Sequence, residues 1–226
     1  MKKLPLVLAV ASALSFATVF ADGIDRDRNN KFTYHVTITN TTANQILTPP
    51  TVIAHNRKFK LFELAQPASD ELIIMAEGGN NGPLISSLGD NNVYATASSL
   101  DQTPPVIMPG NSITIEIKAP RRTFFTVTTM LATTNDAFAS VTLRGPKKYR
   151  TNNARAETYD AGSEVNNEYC DDIPGPPCGG ANIPVDGDGE GFITIHNGIH
   201  GIGDLIPSDL DWRGPTAAVS IHNAGK

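Results

Sequence analysis

The chain has 226 residues, of which 40% are hydrophobic and 18% are charged, and it contains 19 Gly and 16 Pro. This apolar content is sufficient for a folded core and excludes a disordered chain, while the frequent Gly and Pro exclude a helix bundle, a coiled coil and a collagen. The formal net charge of −5 gives no overall basic character, so composition offers no support for nucleic-acid binding.

Residues 1–21 have the pattern of a secretory signal peptide. Lys2 and Lys3 precede an apolar stretch, and Ala21 supplies the small residue before a cleavage site at Asp22. A membrane anchor is the alternative, although the stretch is marginal for a span. Cleavage removes two Lys and no acid, which makes the charge of the mature chain −7. No later segment is long and apolar enough to predict a transmembrane helix.

The mature chain begins with a polar segment, residues 22–31, that we expect to be flexible, and continues as one domain over residues 32–226. Phe32 to Asn40 alternates strictly between apolar and polar residues, which predicts a half-buried antiparallel strand. The further predicted strands are 46–53, which Pro49 and Pro50 interrupt, 112–117, 123–131, 139–143, 191–196 and 217–223.

Two short helices are predicted between the second and third of these strands. Ser69 and Asp70 are suitable caps for a helix over Glu71 to Glu77, which Gly78 and Gly79 would end, and a second turn is predicted over 82–88. The strands do not alternate with helices. This order favours an all-β, antiparallel sandwich of about eight strands with short helical insertions over a doubly wound sheet.

The only two cysteines, Cys170 and Cys178, lie close together in a Pro-rich segment. In an exported protein such a pair is expected to form a disulfide. In the chain-entropy model, a disulfide that closes a loop of this length stabilises the folded state by about 2.6 kcal/mol. The gain is smaller here because prolines already stiffen the loop. A catalytic thiol is the alternative.

Three carboxylates lie on two predicted loops. Asp136 follows a predicted strand, and Asp160 and Glu164 flank Gly162, which permits a tight turn. Calcium takes six to eight oxygen ligands, and three carboxylates with carbonyls and waters would supply them. On spacing alone, solvated loop acids are the alternative.

Seven short segments follow one another along the chain. They are Leu47-Thr-Pro-Pro50, Ala54-His55, Ala76-Glu-Gly-Gly79, Thr134-Asn-Asp-Ala-Phe138, Tyr159-Asp-Ala-Gly-Ser-Glu164, Gly198-Ile-His-Gly201 and Asp211-Trp-Arg-Gly-Pro215. In this order they resemble the spondin-type domain of F-spondin and mindin, in the single-domain version found in exported bacterial proteins. The resemblance covers about residues 32–223, and the order of the matching segments is its most specific feature.

The resemblance implies a C2-like antiparallel β-sandwich with one bound Ca²⁺. The metal acids of the family match Asp136, Asp160 and Glu164, and all three positions keep a carboxylate. Animal members act in the extracellular matrix and in cell adhesion, but their additional domains are missing from this chain.

Two other groups of residues are weaker metal candidates. Asp186, Asp188 and Glu190 begin like a calcium-binding EF-hand loop, but the twelfth position is Asn197 rather than the bidentate Glu that such a loop needs. A plain turn and a second cation site both remain open there. His196 and His200 are separated by glycine-rich sequence that prevents a shared helix face, which argues against zinc.

The sequence therefore predicts an exported, calcium-binding adhesion or recognition module without catalytic activity, located in the periplasm or outside the cell. Its partner would be an envelope or extracellular protein or glycan, and not a nucleic acid. The alternatives are a calcium- or histidine-dependent hydrolase of the envelope and a purely structural envelope protein. A small basic cluster, Arg144 with Lys147, Lys148 and Arg150, is either solvated or touches an anionic surface.

The cleavage site gives the first testable prediction. The exported protein should begin at Asp22, because the small residue at Ala21 places the cut there. The intact mass of protein recovered after export measures this directly. A mass that retains residues 1–21 would contradict the assignment of a signal peptide.

Overall fold

The structure is a computed structural model that describes residues 30–89, 92–180 and 189–226. The predicted signal peptide and residues 22–29 lie outside the described residues. The same holds for Asp186 and Asp188 of the competing loop. Strand β1 begins at Lys31, so the last residue of the segment predicted to be flexible belongs to the sheet.

Nine antiparallel strands and three short helices make up the described part of the chain. The strands are β1 Lys31–Asn40, β2 Thr51–His55, β3 Val93–Ser98, β4 Ser112–Pro120, β5 Phe124–Met130, β6 Ala137–Arg144, β7 Thr151–Asp160, β8 Thr194–Ile195 and β9 Ala217–Gly225. The helices are α1 Asp70–Gly78, α2 Gly82–Ser87 and α3 Pro207–Leu210. The predicted all-β antiparallel sandwich with short helical insertions is confirmed.

The strands follow the order β3-β2-β5-β6-β7-β9-β1-β4, with β8 added to the edge of β7. Strand β7 belongs to both layers of the sandwich. Its first six residues, 151–156, pair with β9, and its last four, 157–160, pair with β6. The outermost strands β3 and β4 contact each other, so the two layers nearly close around the core.

The core is built from the inward faces of both layers. In β1 the residues Phe32, Tyr34, Val36 and Ile38 are buried while their neighbours are more exposed, as the alternation predicts. The ring of Tyr34 packs against Phe125 of the other layer, with ring centroids 4.8 Å apart. Fully burying one such side chain stabilises the fold by about 1.5–3 kcal/mol.

Two strands were not predicted, because their sequences lack clear alternation. The buried residues of β7 are Ala156, Thr158 and Asp160, which are small or polar, and β3 is half-buried throughout. The interrupted strand predicted over 46–53 becomes a regular strand only after the prolines, which offer no N–H to a ladder, and it runs from Thr51 to His55. Before the prolines, Leu47 forms isolated bridges to Ile107 and Leu131. The strand predicted over 191–196 is reduced to the two residues of β8.

Helix α1 forms where the sequence predicts it. The side chain of Ser69 accepts a hydrogen bond from the N–H of Leu72 at 3.3 Å, which caps the first turn. At the other end Gly79 adopts the left-handed conformation, with φ of 68°, and its N–H donates to the carbonyl of Met75. Within the described ranges, no helix has the length and apolar character needed to cross a membrane.

Candidate functional site

The fold brings the three predicted acids together at one end of the sandwich. Asp136 ends the turn between β5 and β6, Asp160 is the last residue of β7, and Glu164 lies in the turn that follows. Because β6 and β7 pair, Ala137 lies opposite Asp160, and the N–H of Ala161 donates to the backbone carbonyl of Asp136 at 3.3 Å. Strand pairing therefore positions the acidic cluster, which we define as Asp136, Asp160 and Glu164.

Asp136 lies at the centre of this cluster and is fully buried. Its Oδ2 accepts hydrogen bonds from the backbone N–H of Ser163 at 2.8 Å, the hydroxyl of Ser163 at 3.1 Å and the N–H of Glu164 at 3.2 Å. Its Oδ1 is equally buried and has no donor. Burial, together with the negative charge of Asp160, raises the pKa of Asp136 to about 7.

Asp160 is held by the turn that it begins. Its Oδ1 accepts from the N–H of Gly162 at 2.7 Å, and its Oδ2 accepts from the side-chain amide of Asn166. Burial raises the pKa of Asp160, and these two hydrogen bonds oppose that rise. Gly162 is required here, because its φ is 71° and a Cβ would collide with the backbone of Phe192.

Glu164 completes the cluster and is also buried. Its Oε2 has no hydrogen-bond donor. Burial raises its pKa to about 8, and the charges of Glu77 and then Asp136 add to the effect. Glu77 is a buried residue of α1 that the sequence prediction did not include in the site. Its only sequence signal was its place in the Ala76-Glu-Gly-Gly79 motif.

The acidic cluster offers hard oxygen ligands but is not a formed coordination shell. Two buried carboxylate oxygens, Oδ1 of Asp136 and Oε2 of Glu164, lack any donor, and burying such atoms unpaired is unfavourable. Yet no group of three or more His, Cys, Asp or Glu among residues 30–89, 92–180 and 189–226 is arranged to hold a metal ion. A cation would therefore require the side chains of the cluster to turn towards one centre.

The predicted disulfide is present and braces the turn that carries Asp136. The sulfur atoms of Cys170 and Cys178 are 1.95 Å apart. Within the loop that they close, the N–H of Gly175 donates to the carbonyl of Ala132 at 2.7 Å, and the hydroxyl of Thr133 donates to the carbonyl of Pro176 at 2.7 Å. The disulfide loop therefore packs directly on the β5–β6 turn.

Glu168 is a fourth buried acid in the loops of this end, and the sequence prediction missed it. Its carboxylate accepts hydrogen bonds from the backbone N–H groups of His200, Gly201 and Ile202, the last two at 2.7 and 3.0 Å. These bonds tie the disulfide segment to the loop before α3. A single acidic residue in a loop belongs to no sequence motif, so the structural role of Glu168 is visible only in the tertiary structure.

A cavity of about 210 Å³ adjoins the acidic cluster. Asp160, Glu168, Glu190, His196 and His200 are among the residues that line it. Burial, and secondarily the charge of His200, lowers the pKa of His196 to about 4, so the ring is neutral at pH 7. Its Nδ1 lies 3.0 Å from the N–H of Gly198 and accepts from it, which leaves the proton on Nε2.

Comparison with known proteins adds no relative: no protein-family model matches the chain, and no curated protein matches it in sequence. The resemblance to the spondin-type domain therefore rests on the motifs of the chain itself.

The buried acids predict a pH dependence of stability. Their folded pKa values of about 7 and about 8 are raised above unfolded values near 4, so the folded state holds more protons and stability falls as pH rises through these values. In chelator, the free energy of unfolding should fall by about 1–3 kcal/mol between about pH 6.5 and about pH 8.5. Urea unfolding at each pH measures this decrease.

The variant Asp136→Asn tests whether Asp136 contributes to this pH dependence of stability. The amide oxygen can keep the three hydrogen bonds of Oδ2, while the charge that titrates is removed. The variant should show a flatter pH dependence and a higher stability at the alkaline end. Parallel curves for the variant and the parent protein would show that Asp136 stays ionised throughout.

Proposed function

We propose that the chain is an exported, calcium-binding recognition module of the spondin type, without catalytic activity. Asp136, Asp160 and Glu164 would bind one Ca²⁺. The observation that carries the proposal is the pair of buried, donor-free oxygens, Oδ1 of Asp136 and Oε2 of Glu164, in a cluster whose acids raise one another's pKa.

Calcium suits this cluster by charge and by ligand type. Calcium accepts carboxylate, carbonyl and water oxygens in a flexible geometry, so the cluster can form a shell by modest side-chain rotation. A bound dication would compensate the negative charges that now repel one another, including that of Glu77. Its role would be structural: it would fix the turn at Asp136 against the turn at Asp160.

The recognition role is supported by the surface next to the cluster. Exposed large apolar side chains are concentrated in β8 and in the loops that follow β7, namely Val165, Tyr169, Phe192, Ile195, Ile202 and Ile206. Val165 directly follows Glu164, the N–H of Gly191 donates to the carbonyl of Gly162, and Ile195 pairs with Tyr159 at the edge of β7. Calcium that orders these turns would also order an apolar surface for a protein or glycan partner.

Export is supported by two independent features. The first 21 residues have the pattern of a signal peptide, and the two cysteines form a disulfide, which persists in oxidising compartments. The proposal places the protein in the periplasm or outside the cell.

The absence of catalysis is supported by the chemistry of the cavity beside the cluster. A histidine-dependent hydrolase needs an imidazole that can accept a proton, but the Nδ1 of His196 is already occupied and its pKa is about 4. Both cysteines are in the disulfide and cannot serve as nucleophiles. The hydrolase remains the second candidate because His196 and Asp160 line one cavity.

Calcium binding predicts a thermal shift. With calcium at about a hundredfold excess over its dissociation constant, binding should stabilise the fold by about 2.7 kcal/mol. For a domain of this size that corresponds to an increase in Tm of about 5–10 °C over chelated protein. Differential scanning calorimetry with Ca²⁺, with Mg²⁺ and with chelator measures it.

Three variants locate the calcium site. Asp136→Asn and Asp160→Asn should abolish most of the shift, while Asp188→Asn in the competing loop should leave it intact. If Asp188→Asn abolishes the shift and the other two do not, the metal binds in the competing loop. A Tm that neither cation changes, in protein purified without metal, would refute the site.

Adhesion provides the second test of the proposed function. Binding of the purified protein to immobilised envelope or matrix material should require calcium and should be weakened by Phe192→Ser combined with Ile195→Ser. These two side chains are exposed, so the variant should keep the calcium-dependent thermal shift. Binding that persists in chelator, with loss of metal confirmed, would place the recognition surface elsewhere.

A further inference from the structure

The end of the sandwich opposite the acidic cluster carries a basic cavity. Strand β7 joins the two ends, with Asp160 in the cluster and Thr151, nine residues away, on the wall of the cavity. At the rise of a β-strand this separation is about 30 Å. The cavity measures about 620 Å³, and six cationic side chains line it: Arg121, Arg122, Arg144, Lys147, Lys148 and Arg150.

These six cations have no counter-charge among the described residues that line the cavity. The lining of the cavity contains no Asp or Glu. In the part of the chain that the structure describes, none of the six forms an ion pair with a carboxylate. A chain with a formal charge of −5 therefore gathers six positive charges around one concave surface. Such a surface attracts and concentrates anions.

The backbone of the basic cavity is fixed before any ligand arrives. Its walls are the turn between β4 and β5 and the connection between β6 and β7. The N–H of Gly145 donates to the carbonyl of Thr123 at 2.8 Å, which joins the two walls. The N–H of Tyr149 donates to the carbonyl of Asn223, and the side-chain amide of Asn223 donates to the carbonyl of Pro146 at 3.1 Å. Pre-organised donors bind a ligand with little loss of conformational freedom.

Two residues on these walls adopt a conformation that favours glycine. Arg122 has φ of 61° and Tyr149 has φ of 59°. The turn between β4 and β5 thus places a long cationic side chain where glycine would be less strained. Strained backbone of this kind is concentrated at ligand sites in proteins. Beside it, Arg121 lies over the ring of Phe32, with its guanidinium carbon 5.8 Å from the ring centroid.

We propose that the basic cavity binds phosphate or sulfate esters of a sugar-sized molecule. Guanidinium groups match tetrahedral oxyanions with paired donors, and four of the six cations are arginines. The volume suits a ligand of one or two rings, and Thr151 and Asn152 provide polar groups on the wall.

The surroundings of the cavity argue against two larger polyanions. A surface that inserts into a membrane carries several exposed apolar side chains beside its basic residues, whereas Tyr149 is the one large exposed apolar side chain among the described residues of the two walls. A nucleic-acid strand requires an extended basic groove that tracks its backbone, whereas the six cations surround a single cavity.

The test is calorimetric titration of the mature chain in calcium-free buffer, which makes it independent of the calcium proposal. Inositol hexakisphosphate is the phosphate probe, sucrose octasulfate is the sulfate probe, and citrate is the carboxylate control. At least one ester should bind, more tightly than citrate, and its affinity should fall as NaCl is raised to about 0.3 M. The tighter ester identifies the preferred oxyanion.

Variants distinguish a defined site from diffuse attraction. Arg122→Gly removes one cation from a position whose φ glycine adopts freely, so it should keep the Tm of the parent while weakening binding about tenfold. Arg121→Gln combined with Arg150→Gln should weaken binding further. Arg155→Gln is the matched control, because Arg155 is exposed on β7 and does not line the cavity.

Three results would overturn the proposal. The first is the absence of binding for both esters. The second is an equal loss of affinity in Arg122→Gly and Arg155→Gln, which would indicate general charge attraction. The third is a short DNA duplex that binds more tightly than either ester and loses affinity in the same cavity variants, which would assign the surface to nucleic acid.

Discussion

Burial of the carboxylate of Asp136 is the constraint around which one end of this molecule is organised. A buried carboxylate must receive hydrogen bonds or a counter-charge, or else remain protonated. The turn at residues 160–164 provides the hydrogen bonds, because its backbone N–H groups point at one oxygen of Asp136. The other oxygen has no donor. One oxygen of the Asp136 carboxylate therefore has hydrogen-bond donors and the other has none, and a cation would bind to the second oxygen.

The loops beyond β7 pack around this cluster and around a further buried acid, Glu168. The disulfide loop packs on the turn before Asp136, and Glu168 binds three successive N–H groups of the loop at 200–202. Asp136 and Glu168 thus accept hydrogen bonds from backbone N–H groups that no strand pairing satisfies in these loops. The described part of this segment contains one two-residue strand and one short helix, and it is held by carboxylate hydrogen bonds, single backbone hydrogen bonds and a disulfide.

The sequence was sufficient for the fold class and for grouping the three acids at one end of the molecule, although Asp160, expected in a loop, is the last residue of β7. Strict alternation located β1 and β4, capping residues located α1, and the oxidising compartment implied by the signal pattern gave the disulfide. Strand β7 was missed because its inward residues are small, and Glu77 and Glu168 were missed because their roles arise from contacts between distant segments. A pattern of a few neighbouring residues predicts local secondary structure, whereas the roles of Glu77 and Glu168 depend on segments far away in the sequence.

The shared strand β7 has an electrostatic consequence. It separates buried acids at one end of the molecule from six arginines and lysines at the other, for which the described residues provide no ion pair. The six cations at one end, which the partly protonated acids at the other end do not balance, give the protein a dipole along the strand. In the field of a charged surface, such a dipole experiences a torque, and near a negatively charged surface the basic end turns inwards. The molecule would therefore arrive already oriented, with the loops around Asp136 facing away from the surface.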